Sequence, residues 1–344
     1  MKKISNKKFI IIYILLCYIF ISFFVVDDLY MNVFRRINPD NLLSLRYKDI
    51  EDNYNIEYIK FKSGKNNLQG YYFQTENPKA LIILSHGIGG GAEIYLSTIL
   101  YFVDNGFNVF AYDNTGCYNS EGDNSIGITQ SVVDLNNALI FIENEDKFNN
   151  LPILLYGHSW GGYAVTSIFS FEHNITASVS VSGFNRPLNI SYEWGETLLG
   201  PVFIFEKPFL FLYQKIKLKD TLDINAVNGI NNTNKPIMII HGINDDVILI
   251  KGEAIINFKN EITNPNVVYK ICSEELLDGH NTLFTDKDST IYKVEISKQL
   301  ENTKNKSEVI NNIDRYLYDK VDKDFMNDVI KFYENSLKEA QYEN

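Results

Sequence analysis

The sequence PILLYGHSWG occupies positions 152–161 and places Ser159 between Gly157 and Gly161, directly after an apolar run. Residues 152–156 have the length and composition of a β-strand buried on both faces, and a helical pattern follows the second glycine. A turn from strand to helix at a serine is so sharp that a side chain two positions away would clash with neighbouring backbone, so only glycine fits there. This stretch therefore predicts a nucleophile elbow with Ser159 as the nucleophile.

From about residue 56 the chain alternates short apolar runs with longer helical patterns. This alternation is typical of a mostly parallel sheet that helices cover on both faces, so the predicted fold class is α/β. Helices are predicted over 93–105 and along an apolar stripe over 128–142. Eight strands are predicted, the first two as an antiparallel hairpin at one edge and the last four buried on both faces. Their residues are 56–61, 71–73, 80–85, 108–112, 152–156, 177–181, 236–240 and 267–271.

A long segment separates the predicted strand at 177–181 from the one at 236–240. About fifty residues are far more than a plain connection needs, which predicts an inserted helical cap over about 185–234. The cap is aromatic over 201–213, whereas two prolines and a charged pair in that stretch argue against a second membrane span. The aromatic residues suggest the hypothesis of a hydrophobic acyl or aryl group bound close to a membrane surface, although packing of the cap onto the core is the favoured interpretation of them.

A serine hydroxyl becomes a good nucleophile only when a histidine accepts its proton and a buried carboxylate orients that histidine. Three histidines follow the serine, and His280 is the best candidate because it lies eight residues past the last predicted strand, at the sheet edge where α/β proteins bind ligands. His173 lies within or just beyond the helix of the elbow. His241 begins the segment His-Gly-Ile-Asn-Asp-Asp-Val, in which either Asp245 or Asp246 is a candidate for the acid.

The attacked carbonyl becomes an oxyanion, which needs N–H donors where its negative charge develops. The backbone N–H of Trp160, the residue after the nucleophile, is one predicted donor, and the other is expected from the loop Ser-His-Gly-Ile-Gly-Gly-Gly over 85–91. Ile88 is the predicted donor of that loop, and His86 is interpreted as a structural hydrogen-bonding residue. The loop is not a nucleotide-binding pattern, because neither GxxxxGKS/T nor GxGxxG with a downstream acidic partner is present.

Composition argues against several other classes of protein. The net charge of −11, from 43 acidic and 32 basic residues, would repel a phosphate backbone, so nucleic acid is not an expected partner. Cys17, Cys117 and Cys272 are far apart and odd in number, which indicates three unlinked thiols rather than a disulfide framework or a zinc site. We therefore expect neither a metal nor a cofactor, and no oligomeric state is predicted.

The order and spacing of these motifs over 56–284 resembles the α/β-hydrolase superfamily, particularly its serine aminopeptidase-like and monoglyceride lipase or esterase branches. Residues 113–122 resemble the Asp-x-x-Gly-x-Gly-x-Ser-x-Gly loop of that superfamily, with Tyr118 in place of the second glycine. In the acid loop of these hydrolases the aspartate stands four residues after the histidine, so the resemblance favours Asp245 over Asp246. It implies cleavage of an ester, thioester or amide through an acyl-enzyme.

The predicted function is a serine hydrolase of the carboxylesterase or lipase type that acts on a small-molecule or lipid-like substrate with a hydrophobic group. Two alternatives share the same catalytic residues, namely a serine aminopeptidase-like peptidase and an acyltransferase on this fold. A binding protein that lost turnover is least favoured, because it would have little reason to retain Ser159, Asp245 and His280.

The N-terminus predicts a membrane segment. Lysines at positions 2, 3, 7 and 8 precede the uncharged stretch 9–26, which is followed by Asp27 and Asp28. Eighteen residues span about 27 Å as a helix, close to the hydrocarbon thickness of a bilayer, and no small-residue cleavage site follows. An uncleaved signal anchor is favoured over a cleaved signal peptide with secretion, and a buried soluble helix ranks third. Because basic flanks stay in the cytoplasm, the globular part is predicted to face outward from a single-pass anchor in the cell membrane.

The predicted division of the chain follows from these assignments. Residues 1–27 form the membrane anchor, 28–55 a linker, and 56–300 the hydrolase domain that contains the cap. Residues 301–344 are predicted to form a C-terminal extension with one or two helices, because apolar residues recur there at helical spacing.

Overall fold

The computed structural model of the protein describes residues 6–39 and 43–342. Its strands are β1 (Asn55–Ser63), β2 (Asn66–Gln74), β3 (Leu81–Ser85), β4 (Asn108–Tyr112), β5 (Ile153–His158), β6 (Ile175–Val181), β7 (Ile237–Gly242) and β8 (Val267–Cys272). Within the described residues these eight strands form one sheet in the order β1-β2-β4-β3-β5-β6-β7-β8. The pairs β1–β2 and β2–β4 are antiparallel, and all the other neighbours are parallel. The predicted eight-stranded, mostly parallel sheet is confirmed.

Helices cover both faces of the sheet. Along β3, Leu81 and Ile83 pack in one core cluster with the residues of two helices, and Ile82 and Leu84 pack in a second cluster with the residues of two others. The continuous apolar run of this strand is buried because both faces are covered. The helices of the described residues are α1 (Asn6–Phe34), α2 (Leu96–Asp104), α3 (Gln130–Asn144), α4 (Trp160–Ser167), α5 (Pro187–Leu199), α6 (Lys207–Leu218), α7 (Ala226–Asn231), α8 (Lys287–Asn302), α9 (Lys306–Asn311), α10 (Arg315–Tyr318) and α11 (Lys323–Tyr342). The two helices of the first cluster are α3 and α4, and the two of the second cluster are α2 and α11.

The last strand, β8, lies at the edge of the sheet. Val268 and Ile271 are exposed there, at 47% and 55% of their surface. The prediction that this apolar run is buried on both faces is therefore wrong. β8 pairs with β7 on one side and ends the sheet on the other, so an apolar run alone did not distinguish an edge strand from a central one.

The insertion predicted as a helical cap contains α5, α6 and α7. Short 3-10 helices at Gly200–Phe205 and Lys219–Asp223 join them. The third helix, α7, packs onto the elbow helix α4, since a Cβ on Gly229 would overlap the carbonyl oxygen of Thr166. The projecting part of the insertion therefore consists of α5 and α6 with their 3-10 turns.

The described part of the predicted C-terminal extension, 301–342, contains three helices, α9 to α11, so the prediction of one or two is wrong. Short breaks at residues 312–314 and 319–322 divide these helices, and a break at 303–305 separates them from α8, where the apolar spacing suggested a longer helical pattern. In α11, Met326, Val329 and Tyr333 are buried against the sheet, and the Tyr333 hydroxyl donates to the carbonyl oxygen of Leu155 at 2.6 Å. The domain division at residue 300 stays a prediction, and we propose that α11 belongs to the same folding unit as the sheet.

Helix α1 is the segment predicted to enter a membrane. Its stretch Lys7–Phe34 is, by length and composition, the one helix of the described residues that could cross a bilayer. Most of its first two-thirds is exposed and apolar, with Phe9 at 58% and Phe20 at 75%. This exposure argues against a buried soluble helix. Two of the predicted basic residues, Lys2 and Lys3, lie outside the described residues.

The end of α1 is docked on the globular body. The helix continues past residue 27, where the predicted anchor ends, and its Val26, Tyr30 and Phe34 are buried in the core. Directly after it, the Arg36 guanidinium donates to the carbonyl oxygens of Tyr118, Ser120 and Gly122. Residues 35–37 also bridge to the loop that contains them. The first part of the predicted linker is thus a packed connection.

Candidate active site

Ser159 lies in the turn between β5 and α4, as the sequence predicts. Its φ of 56° and ψ of −112° place a non-glycine residue in a strained backbone conformation. The Ser159 N–H donates to the carbonyl oxygen of Val181 at 2.8 Å, which ties the turn to the end of β6. The strain is thus held by the sheet, and it presents the hydroxyl at the carboxyl edge of the strands.

The two flanking glycines are required by close backbone contacts. A Cβ on Gly157 would overlap the carbonyl oxygen of Gly161, and a Cβ on Gly161 would overlap the carbonyl oxygen of Ser85. These are backbone atoms that cannot rotate away. The pentapeptide therefore needs glycine for the reason that the sequence pattern indicated.

We expect Gly161→Ala to lower the melting temperature by roughly 10 °C, because the added methyl group forces apart the elbow and β3. Differential scanning fluorimetry of the full chain in detergent would measure it.

Gly64→Ala is the matched control. Gly64 has a φ of 56° but open space around its Cβ position, so this substitution carries only the cost of a left-handed alanine, about 1 kcal/mol. If the melting temperature of Gly161→Ala is no lower than that of Gly64→Ala, the conclusion that backbone contacts require glycine at position 161 is wrong.

His280 and Asp245 are placed next to Ser159. The His280 Nε2 lies 2.9 Å from the Ser159 Oγ, and its Nδ1 lies 2.8 Å and 3.0 Å from the two carboxylate oxygens of Asp245. With Nδ1 donating to the carboxylate, Nε2 is left to accept the serine proton. The loops after β7 and β8 supply these two residues, so the three side chains meet at one edge of the sheet.

The surroundings of Asp245 keep its carboxylate ionised. Burial alone would raise the pKa of Asp245, but the hydrogen bond and the charge interaction with His280, together with the N–H of Ile248, lower it to about 2. Its Oδ1 also accepts from the N–H of Val247 at 3.0 Å and of Ile248 at 2.8 Å. The neighbouring candidate Asp246 is exposed to solvent. Of these two aspartates, it is Asp245 whose carboxylate contacts His280.

Two other histidines that follow the serine have different partners. His173 contacts Glu143 and Asn136, each at 3.0 Å. The His241 Nε2 donates to the carbonyl oxygen of Ile248 at 2.8 Å and lies 3.5 Å from the Asp245 carboxylate. His241 thus braces the acid loop and does not reach the serine hydroxyl.

The predicted oxyanion donors lie beside the serine. Ile88 lines the same pocket as Ser159 and His280, and Trp160 follows the serine at the start of α4. The preceding N–H, of Gly87, already donates to the hydroxyl of Tyr95 at 3.1 Å. The Ile88 N–H is therefore the better placed donor of this loop, and its role stays a prediction.

A buried network that the sequence did not reveal supports the site. The Tyr95 hydroxyl contacts the His158 Nδ1 at 2.8 Å, and the His158 Nε2 donates to the carbonyl oxygen of His280 at 2.9 Å. Burial lowers the pKa of His158 to about 3, which keeps this ring neutral. The position of His158 inside the elbow motif was visible in the sequence, but nothing there indicated Tyr95 as its partner.

His86 connects the oxyanion loop to the loop after β4. Its Nδ1 donates to the carbonyl oxygen of Gly87 at 2.7 Å, and its Nε2 accepts from the N–H of Asn114 at 2.9 Å. Burial lowers the pKa of His86 to about 4, so it is neutral in this arrangement. These contacts are those of a structural residue.

In the loop after β4, Tyr118 adopts the backbone conformation that is typical of glycine. Tyr118, in place of the expected second glycine, has a φ of 42°, in the left-handed region that glycine favours. Asp113 anchors the loop by accepting from the Ala92 N–H at 2.8 Å and the Tyr71 hydroxyl at 2.7 Å. Burial raises the pKa of the Cys117 thiol to about 12, so this cysteine is unreactive.

Ser159 and His280 line a pocket of about 350 Å³. Val33 from α1, Trp194 from α5 and Val247 from the acid loop form its apolar walls. Among the described residues, no group of three or more His, Cys, Asp or Glu side chains is arranged to hold a metal ion. The arrangement provides a nucleophile, a base and an orienting carboxylate beside an apolar surface.

The central part of the chain is similar to known protein families. The family model of serine aminopeptidases, S33, matches residues 76–202. Human monoglyceride lipase is 36% identical over 95 residues, which are 27% of this chain and 30% of the lipase. A polyketide transferase of Aspergillus fumigatus is 25% identical over 118 residues, 33% of this chain and 40% of the transferase. The matched stretch thus spans less than half the length of these relatives.

Solved structures are similar over most of the chain. An esterase from Pyrococcus furiosus superposes with a TM-score of 0.55 at 18% identity, covering 78% of this chain and 98% of the esterase. The esterase Est1E from Butyrivibrio proteoclasticus, solved with ferulic acid, has a TM-score of 0.51 at 19% identity and covers 71% of this chain and 97% of its own. At these identities the similarity demonstrates a common fold.

Proposed function

We propose that this chain is a serine hydrolase of the α/β-hydrolase superfamily that cleaves an ester of a hydrophobic, lipid-like substrate through an acyl-enzyme. The observation that carries the proposal is the contact of the His280 Nε2 with the Ser159 Oγ at 2.9 Å, with Asp245 on the other side of the imidazole. The names of the related lipase and esterases support the same reaction class.

The reaction begins when His280 takes the proton of the Ser159 hydroxyl as its oxygen attacks the substrate carbonyl. The imidazolium that forms is stabilised by the ionised Asp245, whose carboxylate is already paired with the Nδ1. His280 then returns the proton to the leaving alcohol, which departs and leaves an acyl group on the serine. Water then attacks this ester while His280 takes its proton, and His280 passes that proton to the Ser159 oxygen as the acid is released.

The negative charge on the carbonyl oxygen develops next to the start of α4. The N–H groups of Trp160 and Ile88 donate to it, and the first of these also lies at the positive end of a helix. Both donors are backbone groups, so they are held in place before the substrate arrives. The neutral His86 supports the second donor because it fastens the loop that carries Ile88.

A hydrophobic substrate is favoured by the walls of the pocket and by the cap. Of the aromatic residues that first suggested it, Phe203 is buried and Phe209 packs against Tyr18 and Phe23 of α1. Phe205 and Phe211 are exposed. Packing therefore accounts for part of the aromatic content of the cap, and the exposed part adds an apolar surface next to α1.

The proposal includes attachment to a membrane through the apolar stretch 9–26, retained as a signal anchor. The exposure of most of that stretch, with the burial of Val26 at its end and of Tyr30 and Phe34 beyond it, supports retention, because cleavage after residue 26 would cut through the part of α1 that is docked on the domain. Because the lysine-rich start of the chain is expected to stay in the cytoplasm, the catalytic domain lies on the extracytoplasmic side of the cell membrane.

The test is the substrate profile of the full chain in phosphatidylcholine vesicles. We expect p-nitrophenyl esters and monoacylglycerols to be hydrolysed, with kcat/KM for the esters about a hundredfold or more above that for aminoacyl p-nitroanilides. Hydrolysis of the anilides alone would refute the esterase assignment and leave a serine aminopeptidase-like peptidase, in line with the matched family model.

An acyltransferase is the second candidate, because one of the matched relatives is a transferase. Both reactions pass through the same acyl-enzyme and differ in whether water or another acceptor attacks it. Product analysis with glycerol or a short alcohol added as competing acceptor separates them. A transferase would form mainly the new ester, whereas a hydrolase would release mainly the free acid.

A further inference from the structure

A second, apolar cavity lies between α1 and the cap. Its walls are Val26, Leu29 and Val33 on the side of α1, and Leu198 and Phe203 on the side of the cap. The lining is almost entirely apolar, and the volume of about 90 Å³ is enough for a short alkyl segment. An apolar cavity of this kind favours a hydrocarbon group over water.

The apolar cavity adjoins the catalytic pocket. Val33 and Trp194 line both spaces, so they form the boundary between them. When the carbonyl carbon of a substrate lies at the Ser159 hydroxyl, a long acyl chain has to extend out of the catalytic pocket. An acyl chain that extends between Val33 and Trp194 would enter apolar surroundings.

We propose that α1 is a wall of the substrate site and that the cavity between α1 and the cap binds the first carbons of a lipid acyl chain. This inference rests on the proposed function, because it takes Ser159 as the nucleophile for an ester. It assigns the N-terminal helix a role in substrate binding in addition to attachment.

Specific contacts hold the helix in this position. The Tyr213 hydroxyl of α6 donates to the Asp27 carboxylate, and the Ser22 hydroxyl donates to the Glu206 carboxylate at 3.1 Å. The Arg36 guanidinium holds the chain just beyond the helix. These contacts fix the position of α1 relative to the cap, so the helix can serve as a wall of the site.

The acyl chain of a membrane lipid is the occupant that the surroundings favour. The Tyr18 hydroxyl, in the apolar stretch of α1, donates to the carbonyl oxygen of Phe205 at 2.7 Å, so the cap lies against the part of the helix proposed to enter the bilayer. Leu198 and Ile204 of the cap are exposed, at 64% and 57%. The cavity thus opens between surfaces suited to hydrocarbon, and a chain longer than the cavity passes out along them.

The experiment measures chain-length preference with soluble p-nitrophenyl esters from acetate to octanoate, using the full chain in phosphatidylcholine vesicles. Each methylene that enters the cavity is expected to raise kcat/KM by about fourfold, which over the first few carbons gives an octanoate preference of roughly tenfold to a hundredfold over acetate. Leu29→Trp and Leu198→Trp fill the cavity from opposite walls, and each is expected to remove most of that preference.

Ile21→Trp is the matched control. Ile21 lies on the same helix, is exposed and is not part of the cavity wall, so its replacement should leave the octanoate-to-acetate ratio within about twofold of the parent. Two tryptophans on opposite walls guard against a loss of folding in one variant. An unchanged ratio in both folded variants, or no octanoate preference in the parent, would overturn the acyl-chain site, whereas failure to hydrolyse any ester would overturn the proposed function itself.

Discussion

Replacement of Ser159 by alanine is expected to lower kcat for the best ester by about 10⁴-fold to 10⁶-fold, because without the hydroxyl no acyl-enzyme forms. The His280 Nε2 would then lack the hydroxyl that it contacts at 2.9 Å, while the carboxylate and the backbone donors stay in place. Initial rates on p-nitrophenyl esters measure the loss. Labelling with a fluorophosphonate probe, which reacts with an activated serine, should disappear in the same variant.

Ser182 offers a closely matched control. It follows the end of β6, is buried and has a φ of 50°, so it is a second serine in a left-handed backbone conformation at the same edge of the sheet. Ser182→Ala should keep the labelling and the esterase rate. Undiminished labelling of Ser159→Ala, or loss of labelling in Ser182→Ala alone, would show that the nucleophile has been assigned wrongly.

Replacement of Asp245 by asparagine is expected to lower kcat by about 10³-fold to 10⁴-fold. An amide in that position presents a donor where the carboxylate accepts, so His280 turns or takes the wrong tautomer and cannot accept the serine proton. The imidazolium of the transition state also loses its neighbouring negative charge. Initial rates with the same esters, and melting temperatures to show that the variant is folded, are the measurements.

The neighbouring residue provides the control. Asp246 carries the same side chain one position later but is exposed, so Asp246→Asn should change kcat by less than about twofold. Equal losses in the two variants would point to a general effect of negative charge on the loop. A large loss in Asp246→Asn alone would move the acid by one residue.

The elements near the centre of the sheet were predictable because several signals agree there. At 152–161 an apolar run, two glycines and a following helical pattern all require the same strand, turn and helix. At β8 only the apolar run was available, and it does not distinguish an edge strand from a buried one. In the C-terminal segment a regular apolar spacing concealed the short breaks that divide α9, α10 and α11.

The candidate site shows the same limit. Ser159 was predicted from its motif and His280 from its position after the last strand, since parallel strands bring those loops together. The loop after the preceding strand offered both Asp245 and Asp246, and the resemblance to α/β-hydrolases favoured Asp245. Tyr95 and Val33 could not be identified in this way. Each lies more than sixty positions from Ser159 in the chain and reaches it through tertiary packing, and no local pattern of sequence records such contacts.

The docking of residues 34–37 on the domain determines how the enzyme would search for substrate. The Ser125 N–H donates to the carbonyl oxygen of Phe34 at 3.0 Å, and Ile37 exchanges backbone hydrogen bonds with Gly116 and Tyr118. A catalytic domain on a flexible tether samples a volume set by the length of that tether. If the stretch 9–26 lies in a bilayer, as we propose, these contacts would restrict the height and tilt of the domain, and encounters with substrate would depend on lateral diffusion of lipids within the adjacent leaflet.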